Sequence, residues 1–155
     1  MAKEIERKFL VTNDHWRDQI KSSHRMVQGY LNDAGRASVR VRISGDQAWL
    51  NIKSRILGVE RDEYEYPIPV TDARQMLDTL ADGALIEKTR HLVDVAGLTW
   101  EIDEFYGDNA GLIVAEVELY QPDATFHKPD WAGKEVTDDP RYYNVALVRH
   151  PFSTW

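Results

Sequence analysis

Polar and apolar residues alternate along most of this chain with the period of two that is typical of β-strands. Turn-forming residues interrupt the alternation at regular intervals. On this basis we predict eight strands, at about residues 2–12, 25–31, 37–44, 47–54, 60–69, 84–95, 98–106 and 112–120. Gly45-Asp46 and Ala96-Gly97 are two-residue hairpin signals, so the connections are expected to be antiparallel meanders rather than βαβ crossovers.

Helical signals occur in three short segments between or after the strands. The predicted helices run from Asn13 or Asp14 to Ile20, from Thr71 to Leu80, and from Asp139 to Arg149. In the second helix, Ala73, Met76, Leu77 and Leu80 fall on one face. Such a face suits packing against a sheet.

The polar positions of seven predicted strands carry rows of charged or polar residues spaced two apart. These rows are Glu4-x-Glu6-x-Lys8, Arg40-x-Arg42, Asn51-x-Lys53, Glu63-x-Glu65, Lys88-x-Arg90, Glu101-x-Asp103 and Glu116-x-Glu118. One such row is most simply a face in contact with water. Most of these strands, however, supply a pair of one sign, acidic on some and basic on others, whereas a solvated face normally mixes neutral and charged residues.

Eight antiparallel strands can close into a barrel, which removes the sheet edges. If the apolar face lies outside under the helices, the charged rows line the lumen. An isolated buried ion costs several kcal/mol, so these charges must pair with one another and with bound ions. We therefore predict a mainly β (α+β) fold, an eight-stranded antiparallel closed β-barrel with a few helices packed outside, as a single domain over residues 1–155.

Composition narrows the function further. Absence of cysteine excludes disulfides, thiolate zinc sites and cysteine nucleophiles. A net charge of -7 argues against nucleic acid as the main partner. No apolar run approaches the roughly 18 residues needed to span a bilayer, and no signal-peptide segment begins the chain, so a cytoplasmic protein without a membrane partner is expected.

The side chains in the rows are suited to phosphoryl transfer. Six bases indicate a multivalent anion, and clustered carboxylates indicate hard divalent cations. A triphosphate fits this inventory better than a monophosphate, which would leave most of the bases unpaired. Enzymes that cleave phosphoanhydrides combine carboxylate-bound Mg²⁺ with arginine and lysine side chains that bind the phosphates.

In their order along the chain, these rows resemble the CYTH superfamily, also called triphosphate tunnel metalloenzymes. The resemblance covers residue 2 to about residue 120. Gln28-Gly29-Tyr30-Leu31 and Arg141-Tyr142-x-Asn144 are similar to segments of the short bacterial members. The resemblance implies a tunnel that binds a triphosphate together with one or two Mg²⁺ or Mn²⁺ ions.

Site residues follow from the resemblance position by position. The bases expected to bind the triphosphate are Lys8, Arg40, Arg42, Lys53, Lys88 and Arg90. The first metal-ligand candidates are Glu4, Glu6, Glu116 and Glu118, with Glu63, Glu65 and Asp103 as candidates for a second metal or for the attacking water. The division of labour among the carboxylates stays open.

Two residues are catalytic candidates. Lys88, or a neighbouring base, is expected to stabilise the leaving charge during in-line attack of a metal-activated water on a terminal phosphorus. The Tyr30 hydroxyl is a candidate general acid/base or water-positioning group, although a phenol with a pKa near ~10 is poorly suited to act as a base at neutral pH. The alternative is that Tyr30 is an ordinary strand aromatic at the barrel mouth.

The family's activities include class IV adenylyl cyclases and thiamine, RNA 5′- and inorganic triphosphatases. No inserted lid for an organic group is visible, so we expect hydrolysis of inorganic triphosphate to pyrophosphate and phosphate. A cyclase, a thiamine or nucleoside triphosphatase and a non-catalytic polyphosphate-binding module remain alternatives. The expected partner is therefore a small-molecule triphosphate, and apolar residues on the barrel exterior could support a homodimer.

Overall fold

The computed structural model describes residues 3–33 and 35–155. The predicted start of the first strand, at residue 2, lies outside these ranges. The strands are β1 (Lys3–Val11), β2 (Ile20–Tyr30), β3 (Ala37–Ser44), β4 (Gln47–Ser54), β5 (Glu60–Ile68), β6 (Ile86–Val95), β7 (Leu98–Phe105), β8 (Ile113–Glu118) and β9 (Ala132–Glu135). The two α-helices are α1 (Val70–Thr79) and α2 (Asn144–Leu147).

Eight of the strands form the closed antiparallel barrel that the sequence predicts. Around the barrel their order is β5, β4, β3, β2, β6, β7, β8, β1, and β5 then pairs with β1. The register sets the charged rows side by side, with Glu6 opposite Glu118 and Lys8 opposite Glu116. Because side chains alternate between the two faces of a strand, all seven rows share the inner face.

A ninth strand extends the barrel wall. One edge of β1 pairs with β5 through its first three residues, and β9 continues along that edge through Phe9 and Val11. The sequence analysis missed β9 because its four residues, Ala132-Gly133-Lys134-Glu135, have no apolar alternation and few residues that favour strands.

The helices differ in part from the prediction. The first is a 3₁₀-helix, His15–Gln19, and β2 begins directly after it at Ile20, earlier than expected because the polar stretch after Ile20 pairs with β6. Helix α1 lies within one residue of the predicted bounds, with Ala73 and Leu77 buried. Leu80, which was predicted on the packing face, follows the helix and is 56% exposed. Within the described residues no helix has both the length and the apolar character needed to cross a membrane.

The predicted third helix, from Asp139 to Arg149, is wrong as one continuous element. A 3₁₀-helix, Pro140–Tyr142, is capped by Asp139, whose carboxylate accepts a hydrogen bond of 3.1 Å from the Arg141 backbone N–H. Tyr143 then has extended backbone dihedrals, φ -74° and ψ 136°, so the chain turns before α2 begins.

The C-terminal segment, residues 140–155, closes one end of the barrel and is called the plug below. At this end the inner face changes from charged to apolar, because Ile86 lies two residues before Lys88 and Val114 two residues before Glu116. Leu147 of α2, 1% exposed, packs in the same apolar cluster as these two residues. The plug therefore closes one end of the expected tunnel.

Two further apolar clusters lie outside the barrel. One packs α1 onto β3 and β4 through Val41, Ile43 and Leu77. The other covers β1, β7 and β8 and contains Trp100 and Trp131, whose ring centroids are 5.3 Å apart. Burial of the apolar outer face in these clusters leaves the charged face on the inside.

Candidate active site

The lumen holds a cavity of about 170 Å³ whose wall is almost entirely polar. With the exception of Asp103, every site residue predicted from the sequence lines it. These residues are Glu4, Glu6, Lys8, Tyr30, Arg40, Arg42, Lys53, Glu63, Glu65, Lys88, Arg90, Glu116 and Glu118. The barrel therefore brings together side chains from seven strands that are far apart in the chain.

One side of the cavity is anionic. Glu6, Glu101 and Glu116, from the neighbouring strands β1, β7 and β8, each offer a carboxylate oxygen within 4.8 Å of the others. Burial raises the pKa of Glu6 well above its usual range, and the charge on Glu116 raises it further. Lys8 Nζ lies 3.4 Å from Glu116, and Arg90 Nη1 lies 3.2 Å from Glu101, so bases compensate part of this charge. Three carboxylates this close still repel one another, and the cluster is suited to bind a cation.

A second acidic group surrounds Lys53. The Nζ atom of Lys53 donates to Glu4 Oε1 at 3.0 Å and lies 3.5 Å from Glu63 Oε2. Although burial opposes ionisation of Glu4, the charge of Lys53 brings its pKa to about 2. Burial, together with a hydrogen bond to Glu4, raises the pKa of Glu63 to about 7. Lys53 thus shares its positive charge between two carboxylates.

Two of the predicted carboxylates are more open to solvent. Glu118 is exposed, and burial of part of its side chain together with the nearby charge of Glu4 raises its pKa. Glu65 is also exposed and accepts a hydrogen bond of 2.6 Å from Asn51 Nδ2. Both therefore line the cavity where it meets solvent.

Asp103 lies behind the cavity wall in a buried ion-pair cluster. Its Oδ1 accepts from Arg90 Nε at 2.8 Å, and its Oδ2 accepts from Arg90 Nη2 at 3.0 Å and Lys88 Nζ at 2.7 Å. Burial opposes ionisation of Asp103, but Arg90 and Lys88 hold its pKa below the usual range. Each carboxylate oxygen thus accepts a hydrogen bond from a base, so Asp103 supports Arg90 and Lys88, and it does not line the cavity.

The opposite side of the cavity is cationic. Going around the eight-stranded ring, β3 lies four strands from β8 in either direction, so Arg40 and Arg42 lie across the lumen from Glu116. Neither arginine forms an ion pair with a carboxylate in the described part of the chain. Burial, and then the charge of Arg40, lowers the pKa of Arg42 to about 9. The buried Nε of Arg40 has no hydrogen-bond partner.

Comparison with known proteins agrees with this geometry. A model of the CYTH domain matches residues 2–143. The chain belongs to the CYTH domain family. A protein of Acetivibrio thermocellus described as an inorganic triphosphatase is 45% identical over 155 residues, which cover 100% of this CYTH domain chain and 99% of the relative. An inorganic triphosphatase of Nitrosomonas europaea is 38% identical over 149 residues, 94% of this chain and 96% of the relative.

Solved structures resemble this CYTH domain as well. A crystal structure of an inorganic triphosphatase superposes with a TM-score of 0.67 at 35% identity, covering 96% of this chain and 95% of that chain. A Pyrococcus horikoshii protein shares the fold at 16% identity, with a TM-score of 0.60 and coverage of 77% and 81%.

Several residues of this CYTH domain line the cavity although the sequence analysis did not name them as site residues. They are Ser38, Asn51, Arg61, Glu101, Tyr143, Asn144 and Val145. The period of two could have found Ser38 and Arg61, since each lies two residues before a predicted row. Nothing periodic marks Tyr143 or Asn144, which reach the cavity from the plug.

Proposed function

We propose that this CYTH domain hydrolyses inorganic triphosphate to pyrophosphate and phosphate with the help of a divalent cation, Mg²⁺ or Mn²⁺. The proposal rests on the carboxylate cluster that faces Arg40 and Arg42, inside a barrel closed at one end. Among the described residues, these two arginines have no acidic partner. A linear anion with several charges along its length can contact both sides of such a cavity. The relatives described as inorganic triphosphatases support the same substrate.

Six bases would bind the phosphate groups. Arg40 and Arg42 offer guanidinium donors that can form paired hydrogen bonds to phosphate oxygens. The other four bases already have acidic partners, so they present positive charges whose positions are set before substrate binds. These bases are Lys8, Lys53, Lys88 and Arg90. Preset donors stabilise developing charge without reorganising at the moment of reaction.

The anionic side fits a hard divalent cation. Its donors are carboxylate oxygens without nitrogen or sulfur, and such donor sets favour Mg²⁺ or Mn²⁺. Glu6, Glu101 and Glu116 would hold the ion, and Glu4 and Glu118 lie close enough to influence their charges. When bound, a divalent cation lowers the pKa of coordinated water and neutralises phosphate charge.

The chain's own residues would orient and protonate the substrate. Water forms a bond to a terminal phosphorus while the bridging P–O bond breaks, and the pyrophosphate oxygen that leaves needs a proton or a positive charge. Lys88 lies in the cavity wall, where the positive charge at Nζ would stabilise the leaving oxygen. Burial lowers the pKa of Lys88 although the charge of Asp103 opposes this shift, and a lowered pKa would make release of the Nζ proton easier. Tyr30, 5% exposed and opposite Arg40 in the β2–β3 register, would position the attacking water.

The test is phosphate release from inorganic triphosphate, ATP, thiamine triphosphate and pyrophosphate, each with and without Mg²⁺ or Mn²⁺. We expect metal-dependent turnover that is fastest with inorganic triphosphate. Cyclic AMP formation from ATP would instead indicate a cyclase. Tight metal-dependent binding of triphosphate with no turnover of any compound would contradict the enzymatic proposal and favour a polyphosphate-binding module.

A matched pair of variants tests the cationic side. Arg42→Leu removes a buried guanidinium in the cavity, whereas Arg25→Leu removes an exposed one that lies 3.8 Å from Glu87 outside the barrel. We expect Arg42→Leu to lose most of the activity and Arg25→Leu to retain it. Equal activity of the two variants would contradict the proposed binding mode.

A further inference from the structure

Asn144 links the plug to two phosphate-binding bases. Its Oδ1 atom accepts a hydrogen bond of 3.0 Å from Lys88 Nζ and another of 3.1 Å from Gln28 Nε2. Gln28 is fully buried, and its Oε1 atom accepts from Arg42 Nε at 2.8 Å. We call Gln28 and Asn144 the amide bridge. It connects bases on β3 and β6 through the C-terminal segment.

The chemistry of its partners determines the orientation of the amide bridge. Lysine and arginine side chains carry donors and no acceptor. The amide that contacts either side chain must therefore present its oxygen atom. Gln28 therefore turns its oxygen toward Arg42 and its NH₂ group toward Asn144. Asn144 must in turn present its oxygen to both Gln28 and Lys88. A side chain without an acceptor at position 144 would break two of these three hydrogen bonds.

We propose that Asn144 is a positioning residue for triphosphate hydrolysis, and that the amide bridge holds Lys88 and Arg42 in the orientation that meets the substrate. This inference rests on the proposed function. Long basic side chains lose considerable rotamer freedom when they are fixed in place. Small errors in the placement of such groups are costly in catalysis. Without Asn144, Lys88 would keep Asp103 as its partner and could turn back toward it.

A purely structural role for Asn144 is the rival account, because other contacts also anchor the plug. Leu147 packs in the apolar cluster at the barrel end, and the Tyr142 carbonyl accepts a hydrogen bond of 3.1 Å from Lys8 Nζ. If Asn144 had only a structural role, its replacement would lower the stability and the folded fraction of the protein. Total activity would then fall in proportion to the folded fraction. Activity per folded molecule therefore distinguishes the two accounts.

The first experiment compares three plug variants for kcat and KM with inorganic triphosphate and Mg²⁺, normalised to the folded fraction from thermal unfolding. Asn144→Leu keeps the size of the side chain but removes the acceptor, and we expect its normalised kcat to fall by about tenfold or more. Asn144→Asp keeps acceptors for both donors but adds a negative charge beside the substrate, so its KM should rise while its normalised kcat stays above that of Asn144→Leu. Arg141→Ala, at an exposed plug residue paired with Asp139, serves as the control. An Asn144→Leu variant with wild-type normalised kcat would overturn the proposal.

The second experiment is a double-mutant cycle between the two amides. Gln28→Leu and Asn144→Leu should each lower activity, and the double variant should lose little more than the worse single variant, because both changes break one chain of hydrogen bonds. Losses that multiply would show independent roles and would overturn the proposal.

The same variants also separate this inference from the proposed function. If the wild-type protein turns over no triphosphate, the proposed function fails. Calorimetric binding of inorganic triphosphate to the wild type, the two single leucine variants and the double variant would then test the amide bridge on its own. Weaker binding by Asn144→Leu, with the same non-additivity toward Gln28→Leu, would still support the positioning role. Unchanged binding would overturn it.

Discussion

Lys88 Nζ and Asp103 Oδ2 are 2.7 Å apart in an ion pair whose side chains are each 1% exposed. Arg90 contacts the same carboxylate, so Asp103 is a single anion held between two cations. Removal of one partner from such a cluster leaves buried charge without compensation. This cluster supports two of the bases that we propose to bind phosphate, from behind the cavity wall.

Asp103→Asn should therefore destabilise the protein. We expect the free energy of unfolding at pH 7 to fall by about 3–5 kcal/mol, which is the usual cost of breaking a buried ion pair by removal of one partner. Urea denaturation followed by circular dichroism measures it. Asp94→Asn is the control, since Asp94 pairs with Lys21 at the surface and should matter little. A similar loss of stability in both variants would contradict the conclusion that Asp103 stabilises the protein through a buried ion pair.

The stabilisation from Asp103 should also depend on pH. Although burial opposes ionisation of Asp103, Arg90 and Lys88 hold its pKa in the folded protein below the ordinary value of 3.8. The unfolded chain therefore takes up this proton first as the pH falls. The stabilisation is complete above about pH 4 and is lost progressively below it. The difference in unfolding free energy between wild type and Asp103→Asn should be constant from pH 7 to 5 and shrink toward pH 3. A difference that grew on acidification would contradict this sign.

The plug offers a third prediction, through its apolar anchor. Leu147 is 1% exposed in the cluster with Ile86, Phe105 and Val114. Leu147→Ala should lower the free energy of unfolding by about 2–5 kcal/mol, because it removes buried methyl groups and leaves a cavity. Leu57→Ala, at a side chain that is 59% exposed, should change it little. Equal effects in thermal or urea unfolding would show that the plug does not pack as described.

The alternation of polar and apolar residues predicted the barrel and the inner face, because the face of a strand residue depends only on its position in a period of two. The alternation could not predict how far along the barrel axis each inward-facing side chain lies. Glu101 and Asp103 share one face of β7 and look equivalent in the sequence. Glu101 lies opposite Glu116, whereas Asp103 lies opposite Val114 and next to the two bases. That difference comes from the stagger between strands.

The part of the site that comes from the plug was hidden for another reason. Asn144 and Lys88 are 56 residues apart in the sequence, and the helix predicted from Asp139 to Arg149 gave no reason to place Asn144 inside the barrel. Asp139 and Pro140 correctly marked the start of a helix there. The extended backbone at Tyr143 interrupts the helix predicted there, and local helix propensities do not contain that information.

Glu101 was not among the metal-ligand candidates predicted from the sequence, but its carboxylate lies in the acidic cluster of the structure with Glu6 and Glu116. One of its oxygens also accepts a hydrogen bond of 3.2 Å from Arg90. Glu4 lies outside this cluster and pairs with Lys53. We expect Glu101→Gln to raise the Mg²⁺ or Mn²⁺ concentration for half-maximal triphosphate hydrolysis by about tenfold or more, since even outer-shell changes reach that size. Mn²⁺ binding by calorimetry gives a second readout. Glu87→Gln, at an exposed residue of β6 paired with Arg25, is the matched control. If Glu101→Gln bound metal like the control, the cluster would not be the metal site.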